Sequence, residues 1–356
     1  MSENIVYFLG AGASYNFGYP LTDAIMPEIL KNLIKKDLFQ IDPEKKTKNE
    51  RQQEEELLEF IFKLYPGLQD IDLNNENSGM PDITEMLSMV DHCCLYNIPS
   101  HPELSDRKLL DFKELLNRAV VELLLDYEWR EYDNKELGLL NLFLQHVKKD
   151  KRNSNVTIIT TNYDLVIDRA FEDDLEKNRV DLGISYRDIT SKIVTQPHNP
   201  SFKYYKLHGS LNWLKCDLCG QFYIHPNGST AHHAFDENIN DDNTCVCNSS
   251  LRLKSVLVAP SFVRDIRDSN LLQIWKSAME AIRTADKLIM IGYSLPSDDL
   301  GIKSILMRGL NGRTSKQSLI VDVIQHGEKA KPNYKNLFGK SINYFHNGLE
   351  EYLAGN

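Results

Sequence analysis

Continuous apolar runs, separated by polar and amphipathic stretches, recur along this chain of 356 residues. Six of these runs predict buried strands at residues 5–9, 156–160, 204–207, 255–258, 288–292 and 319–323, and residues 342–345 predict a last one. Strands that are apolar throughout are typical of a parallel sheet that is covered on both faces. The pattern therefore predicts an α/β fold with a doubly wound, Rossmann-like parallel sheet.

Apolar positions with helical spacing fill the region between the first strand and residue 156. Helices are predicted at about 22–36, 54–65, 83–96, 107–127 and 135–149, and no strand is predicted there. We therefore assign 1–35 to the first part of the Rossmann-like domain, 36–150 to a helical insertion, and 151–212 with 252–356 to the remainder. The polar residues 213–251 form a second, cysteine-rich insertion.

Acidic residues outnumber basic ones, and the formal net charge is −10. A negative surface repels a phosphate backbone, so we expect no direct nucleic-acid binding. No apolar run approaches the ~18 residues of a membrane span, and the first residues lack a basic leader. We expect a cytoplasmic protein that does not bind membranes.

Four of the six cysteines form two close pairs inside the second insertion. They are Cys216, Cys219, Cys245 and Cys247. Two such pairs suit a tetrahedral zinc ion, and four sulfur ligands would close its coordination shell, so the metal would be structural. Two alternatives stay open: the thiols are unrelated or partly oxidised, or one of His225, His232 and His233 replaces a cysteine.

A glycine-rich turn follows the first predicted strand, and residues 10–14 read Gly-Ala-Gly-Ala-Ser. A strand that enters such a turn before a helix presents backbone N–H groups and a positive helix end, which suit a phosphate. Gly10, Ala11, Gly12 and Ser14 are therefore candidate nucleotide-binding residues. The turn departs from the Gly-x-Gly-x-x-Gly fingerprint, because Tyr15 stands where the third glycine would be.

Polar residues also follow three other predicted strands. Asn162 and Asp164 follow one run, His208 follows the next, and Gly292 and Ser294 end a third. Open α/β sheets bind ligands at the carboxyl ends of their strands, and histidine suits a general base because it titrates near neutral pH. Plainer interpretations stay open: Asn162 caps a helix, His208 bonds a buried carbonyl, and Ser294 belongs to an ordinary turn.

Taken in order, these motifs resemble the sirtuin family. The motifs are Gly10–Ser14 with Gly18-Tyr19-Pro20, Thr161–Asp164, His208-Gly209, the two cysteine pairs and Gly292-Tyr293-Ser294. The resemblance covers the chain apart from the helical insertion. It implies an NAD-binding Rossmann-type domain with a zinc ribbon and a helical module.

The resemblance also implies roles for individual residues. The turn 10–14 would cradle the pyrophosphate of NAD+, Asn162 would position the ribose or the attacking water, and Asp164 would hold the nicotinamide carboxamide. His208 would be the base. Gly292 and Ser294 would line the adenosine side, and Asp322, at the end of its strand, would meet the adenosine ribose.

Two departures from the protein deacylases of this family concern the peptide side. Residues 21–23 read Leu-Thr-Asp in place of an acidic, an aromatic and a basic residue, and residues 259–264 replace a Phe-Gly-Glu segment. These features are similar to the NAD-hydrolysing sirtuin-like effectors of bacterial anti-phage defence, some of which work with a HerA-type ATPase. The resemblance therefore implies an NAD+ glycohydrolase that releases nicotinamide and ADP-ribose.

Two other functions stay open at this point. An NAD-dependent protein deacylase would use the same site with an acylated lysine as acceptor. A catalytically silent subunit would bind NAD+ or ADP-ribose and act as a scaffold. Because an unrestrained NAD+ hydrolase would harm its own cell, we also expect gating by homo-oligomerisation or by a partner that binds the helical insertion.

Overall fold

The computed structural model describes residues 2–39, 46–71, 79–96, 103, 106–226, 228–236, 239–258, 268–297, 299–313 and 318–355. The chain forms two compact units. The first contains Met1–Tyr19, Glu131–Val258 and Asp265–Asn356, and the second is built on Pro20–Arg130. Among the described helices, none has both the length and the apolar character that a membrane crossing requires.

The described elements are numbered in chain order. The strands are β1 (Asn4–Leu9), β2 (Asn155–Thr160), β3 (Val180–Asp181), β4 (Tyr186–Asp188), β5 (Val194–Thr195), β6 (Phe202–Lys206), β7 (Gly209–Lys215), β8 (Phe222–Ile224), β9 (Thr244–Cys245), β10 (Asn248–Arg252), β11 (Lys254–Leu257), β12 (Lys287–Ile291), β13 (Ile320–Ile324) and β14 (Asn343–Phe345). The helices are α1 (Ala11–Tyr15), α2 (Thr22–Lys35), α3 (Lys48–Leu64), α4 (Ile83–Tyr96), α5 (Asp106–Trp129), α6 (Asn134–Asn153), α7 (Val166–Ala170), α8 (Glu172–Glu176), α9 (Ser269–Thr284), α10 (Leu300–Asn311), α11 (Lys331–Phe338) and α12 (Leu349–Ala354).

The first unit contains a seven-stranded sheet with the order β14-β13-β12-β1-β2-β6-β3. All of its strand pairs are parallel. The predicted α/β class with a parallel sheet is confirmed. The chain builds outward from β1 through β2 and β6, and then returns to the other side of β1 with β12. The strand order reverses at β1, and such a reversal opens a crevice at the carboxyl ends of the central strands.

The predicted strand at 255–258 does not belong to the parallel sheet. Its counterpart, β11, pairs antiparallel with β7 in a separate five-stranded sheet of the order β11-β7-β8-β4-β5. Only Val256 is fully buried within β11, while Lys254 is exposed. This burial pattern is typical of a strand that is covered on one face only. The predicted apolar run was too short to reveal it. Strand β7 of this sheet begins directly after His208 and ends directly before Cys216.

The second unit is helical in its described part. It packs α2, α3, α4 and α5 against one another. Helix α3 begins with a capping box, in which the Thr47 hydroxyl accepts from the Glu50 amide and the Glu50 carboxylate accepts from the Thr47 amide. The predicted insertion at 36–150 included α6, whereas α6 contacts β2 and lies in the first unit.

Candidate active site at the carboxyl edge of the parallel sheet

The glycine turn after β1 is locked to the turn after β12 by two backbone hydrogen bonds. The Gly10 amide donates to the Ile291 carbonyl at 2.9 Å, and the Gly12 amide donates to the Gly292 carbonyl at 2.8 Å. The sequence predicted that this turn offers its amides to a phosphate. The amides of Gly10 and Gly12 are used inside the fold, whereas the binding of a pyrophosphate by the turn as a whole stays a prediction.

Gly292 is the residue that allows this close approach. Its φ is +61°, and a Cβ atom built on it would lie 2.0 Å from the Ala13 nitrogen. A Cβ on Gly12 would in turn lie 2.8 Å from the Gly292 Cα. Both distances are shorter than a van der Waals contact, so each position requires glycine. Gly292 thus packs against the glycine turn.

The side chains of Ser14, Asn162 and Asp164 form one hydrogen-bonded network. The Asn162 amide nitrogen donates to the Gly10 carbonyl at 2.9 Å and to Ser14 Oγ at 2.7 Å, and Ser14 Oγ donates to Asp164 Oδ2 at 2.6 Å. Because a carbonyl can only accept, the Gly10 contact identifies Nδ2 and fixes the orientation of the amide. Oδ1 of Asn162, which can accept a hydrogen bond, is therefore on the other side of the carboxamide from the contacts with Gly10 and Ser14.

Asp164 is buried beneath this network, and Asp164 Oδ1 accepts from the Val166 amide at 3.2 Å. Burial raises the pKa of the Asp164 carboxyl, while the positive charge of Lys206 and the hydrogen bond from Ser14 act in the opposite direction. A carboxyl group with a shifted pKa in a crevice is typical of a functional site.

His208 is buried and lies next to the same loop. Its Nδ1 is 3.1 Å from the Thr161 carbonyl oxygen. Because that oxygen can only accept, Nδ1 carries the proton, and the basic lone pair of the neutral ring is on Nε2. The structure therefore brings His208 to the residue that directly precedes Asn162. The rings of Tyr163 and Trp275 are neighbours of the His208 ring, with centroids 6.4 Å away in each case.

Two further contacts hold the His208 backbone and the Tyr163 side chain. The Val258 amide donates to the His208 carbonyl at 2.8 Å, and the Tyr163 hydroxyl donates to the Val258 carbonyl. The segment 259–264, where the sequence departs from the deacylase pattern, lies outside the described residues.

Ser294 and Asp322 do not join the network described above. The Ser294 carbonyl accepts from Asn333 at 3.2 Å, and the Ser294 side chain is exposed. The expectation that Asp322 ends its strand is wrong, because it is the middle residue of β13. Its carboxylate pairs with Lys287 at 2.9 Å and accepts from Tyr352 at 3.1 Å. Lys287 is the first residue of β12, so Asp322 points to the amino-terminal part of the sheet, away from the glycine turn.

Lys206 is a residue of this site that the sequence did not single out. It is the last residue of β6, and its side chain is fully buried below the loop that carries Asn162 and Asp164. A lysine inside an otherwise apolar run is the signal that could have pointed to it, because a buried lysine requires a partner.

The four paired cysteines meet at one point of the cysteine-rich region. Their Sγ atoms all lie within 4.8 Å of one another, and no other such group of potential ligands occurs among the described residues. Cys216 Sγ lies 3.6 Å from Cys247 Sγ, and Cys219 Sγ lies 3.5 Å from Cys245 Sγ. A tetrahedral zinc–thiolate site needs sulfur atoms about 3.8 Å apart. The four cysteines therefore fit a structural zinc ion.

Tyr223 supports this cluster from β8. Its hydroxyl lies 3.1 Å from the Cys245 sulfur and accepts from the Val246 amide at 3.1 Å. Burial acts to raise the pKa of the Cys245 thiol, but the hydrogen bonds from Tyr223 and the Cys247 amide lower it to about 6. The thiolate is the form that binds a metal.

The three histidines of the same region have other surroundings. His233 Nδ1 contacts Asp236 at 2.9 Å, and its ring lies against the His232 ring in a tilted arrangement with centroids 4.1 Å apart. Burial lowers the pKa of His232 to about 4. The His225 amide donates to the Asn212 carbonyl at 3.1 Å. The described cluster is complete with four cysteines, so it requires none of these histidines.

Comparison with known proteins assigns the family. The family described as "SIR2-like domain" matches residues 156–338, which is just over half of the chain. The match begins in β2 and contains Asn162, His208 and the four paired cysteines. The chain therefore belongs to the SIR2-like domain family.

Solved structures of Sir2 enzymes show a distant likeness. A complex described as "Sir2-p53 peptide-NAD+" shares 14% identity over 99% of this chain and 92% of its own, with a TM-score of 0.41. A structure described as "Structural Basis for the Mechanism and Regulation of Sir2 Enzymes" shares 15% identity over 99% and 91%, also with a TM-score of 0.41. No curated protein matches the chain significantly.

Proposed function

We propose that this protein is an NAD+ glycohydrolase, which cleaves the bond between nicotinamide and ribose and releases nicotinamide and ADP-ribose. The observation that carries the proposal is the network of Ser14, Asn162 and Asp164 beside His208, at the carboxyl edge of the sheet. Membership of the SIR2-like domain family supports NAD+ as the substrate.

The proposed chemistry needs a group that activates water and a polar group that orients it. The C1′–nitrogen bond breaks through an oxocarbenium-like state, and the electron pair leaves with nicotinamide. The water oxygen bonds to C1′. Nε2 of His208 takes the proton of the water, and Oδ1 of Asn162 accepts its other hydrogen bond. Asp164 holds the leaving carboxamide, and the turn 10–14 lies against the pyrophosphate.

Asn162 is well suited to this task because its orientation is already set. Both hydrogens of its amide are engaged, by Gly10 and by Ser14. A group that is held before substrate binds does not need to reorganise in the transition state. The same reasoning applies to His208, whose tautomer is set by the Thr161 carbonyl.

The decisive experiment is incubation of the purified chain with NAD+ alone, followed by chromatography of every product. Nicotinamide and ADP-ribose should appear in equal amounts. Asn162→Ala and His208→Ala should each lower nicotinamide release by about a hundredfold or more, since each removes a group that acts on the attacking water. Undiminished turnover in either variant would remove that residue from the mechanism.

Two alternative functions give different products in the same experiment. A protein deacylase would leave NAD+ nearly intact until an acylated peptide is added. A silent scaffold subunit would bind NAD+ or ADP-ribose and form no product at any concentration. The Leu-Thr-Asp sequence at 21–23 favours hydrolysis over deacylation, because the deacylases have other residues there.

The finer expectations from the resemblance form part of this proposal. They are an NAD-depleting role in anti-phage defence, cytoplasmic action, a homo-oligomeric state and a HerA-type ATPase as partner. The chemistry gives a reason for control, because NAD+ loss is harmful to the cell that contains the enzyme. Full activity of the isolated monomer would contradict gating by assembly.

A further inference from the structure

The ammonium group of Lys206 is in contact with the backbone of the loop that carries Asn162 and Asp164. Lys206 Nζ donates to the Asp164 carbonyl at 2.6 Å and to the Tyr163 carbonyl at 3.4 Å. The side chain is 0% exposed. Lys206 pairs in the sheet with Thr160, the last residue of β2, so its side chain starts directly beneath the point where this loop begins.

The charge of Lys206 is balanced by Asp168 in the helix that follows the loop. Asp168 Oδ2 lies 3.0 Å from Lys206 Nζ and accepts from the Tyr204 hydroxyl at 3.0 Å. Asp168 Oδ1 accepts from the Asn212 amide at 3.1 Å. Both members of the pair are buried, and a buried charge is stable only when it is paired and hydrogen-bonded.

The three hydrogens of the Lys206 ammonium group meet three acceptors, Asp168 Oδ2 and the carbonyls of Asp164 and Tyr163, so the ion pair is tied to the loop backbone. Replacing a buried ion pair by apolar residues often costs nothing in stability, so the presence of this pair requires another explanation. The two carbonyls belong to Tyr163 and Asp164, which directly follow Asn162. The lysine therefore acts on the part of the backbone that orients both polar side chains of the site.

We propose that Lys206 is a positioning residue, whose ammonium group fixes the backbone at Tyr163 and Asp164 and thereby holds the side chains of Asn162 and Asp164. Lys206 lies below the loop and does not take part in the chemical step. The inference rests on the proposed NAD+ cleavage for its activity readout, and it has a second readout that is independent of activity.

The principal variant is Lys206→Met with Asp168→Asn. Lys206→Met alone would leave Asp168 charged and unpaired in the core, which threatens folding. In the double variant, the asparagine amide can still bond Tyr204 and Asn212, and neither member of the ion pair is left charged without the other. Asp164 loses the nearby positive charge but keeps its hydrogen bonds from Ser14 and the Val166 amide. The matched control is Lys203→Met, because Lys203 lies on the same strand and is exposed.

The first readout is hydrogen exchange, measured by mass spectrometry on peptides that cover residues 161–166. In the double variant, this segment should exchange about tenfold faster or more, as expected for the loss of a hydrogen bond from a charged donor. Exchange in β1 and β12 should not change, and Lys203→Met should behave as the unmodified protein does. Unchanged exchange at 161–166 in the folded double variant would overturn the proposal.

The second readout separates catalysis from binding. The kcat for nicotinamide release should fall about tenfold or more in the double variant, since a loose loop no longer holds the reacting groups in place. The Kd for ADP-ribose, measured by calorimetry, should change less than about twofold. Full kcat together with faster exchange would overturn the proposal, and so would loss of the whole fold.

These readouts also separate this inference from the proposed function. If the unmodified protein does not cleave NAD+, the glycohydrolase proposal fails, while hydrogen exchange at 161–166 still decides the role of Lys206. If the unmodified protein cleaves NAD+ and the double variant cleaves it equally well, the inference fails and the proposed function stands.

Discussion

Gly292 controls how closely the two turns at the carboxyl edge of the sheet approach each other. Its carbonyl accepts from the Gly12 amide, and its φ of +61° lies in the left-handed region. Glycine is required at this position for two reasons. The left-handed φ disfavours residues that carry a Cβ, and a Cβ would also overlap the glycine turn. The glycine turn, and with it Ser14, depends on this contact.

Gly292→Ala should destabilise the protein by at least about 3 kcal/mol, from backbone strain together with the overlap on Ala13. The matched control is Gly327→Ala, because Gly327 has a φ of +78° and a Cβ at this position would meet no atom within 4 Å. In the control variant, the free energy of unfolding should fall by only about 1–2 kcal/mol. Urea unfolding measures both values. Equal losses in the two variants would show that the contact with the glycine turn is not needed.

The sequence identified the residues that lie at the ends of strands. It could not identify contacts between side chains that only folding brings together. Asn162, Asp164 and His208 follow apolar runs, so their place at the edge of the sheet could be predicted. Asp322 could not be placed correctly, because it lies two residues before the last residue of β13, and a side chain at that position is inside the sheet and not at its edge. Lys206 was missed because Asp168 and the loop carbonyls become its neighbours only through folding.

Helix α5 contains a buried ionic cluster around Arg118. Arg118 lies 3.3 Å from Glu122 and 3.0 Å from Glu50, and its guanidinium stacks on the ring of Phe39 at 4.5 Å. Burial raises the pKa of Glu122 to about 7, although Arg118 acts to lower it. The ionised form of this carboxylate is therefore costly to the second unit at neutral pH.

This cost predicts how stability depends on pH. Folding raises the pKa of Glu122 from 4.5 to about 7. The contribution of its protonated form to the free energy of unfolding is therefore fully present below pH 4.5 and is lost as the pH rises to about 7. Glu122→Gln has no carboxyl to ionise and therefore avoids this loss of stability. Between pH 4.5 and about 7, its free energy of unfolding should rise relative to that of the unmodified protein, by up to about 3 kcal/mol. Chemical denaturation at several pH values measures the difference.

The control for this prediction is Glu114→Gln, because Glu114 lies on the same helix and is exposed. It should leave the pH profile of stability unchanged. If Glu122→Gln gave the same profile as the unmodified protein, the carboxyl would not be the titrating group.

Long elements were predictable and short ones were not. The central strands and helices α2 to α5 have enough periodic positions to identify their type. Strands β3, β5 and β9 have two residues each, which is too few for any pattern. They form because neighbouring strands supply hydrogen bonds. Those neighbouring strands are distant in sequence, so the residues of a short strand do not predict it. Strand β11 was assigned to the wrong sheet for the same reason.

The four-cysteine cluster links distant parts of the smaller sheet region, since Cys216 and Cys219 follow β7 while Cys245 ends β9. Cys219→Ser should lower the zinc content and the melting temperature, the latter by roughly 5 °C or more, because one of four ligands is lost. Metal analysis and thermal unfolding test this. Cys94→Ser, in helix α4 outside the cluster, is the control and should keep the metal.

Removal of the metal should affect the two sheets differently. A chelator should increase hydrogen exchange in β7 and β8, which flank the cysteines, while β1 and β2 stay protected by their own ladder. Metal-free protein with unchanged exchange and melting temperature would show that the cluster holds no structural ion.

The order of strands in the sheet has a consequence for biosynthesis. β1 is made before the other described strands, yet its neighbours start at Asn155 and Lys287. While the ribosome adds the intervening chain, the apolar sequence of β1 has neither of its partners, and an unpaired apolar strand is prone to aggregate. The helical second unit, whose contacts are nearer in sequence, has its described elements complete before β2 emerges. Folding of the nascent chain should therefore depend on chaperones that shield β1 until β12 has left the exit tunnel.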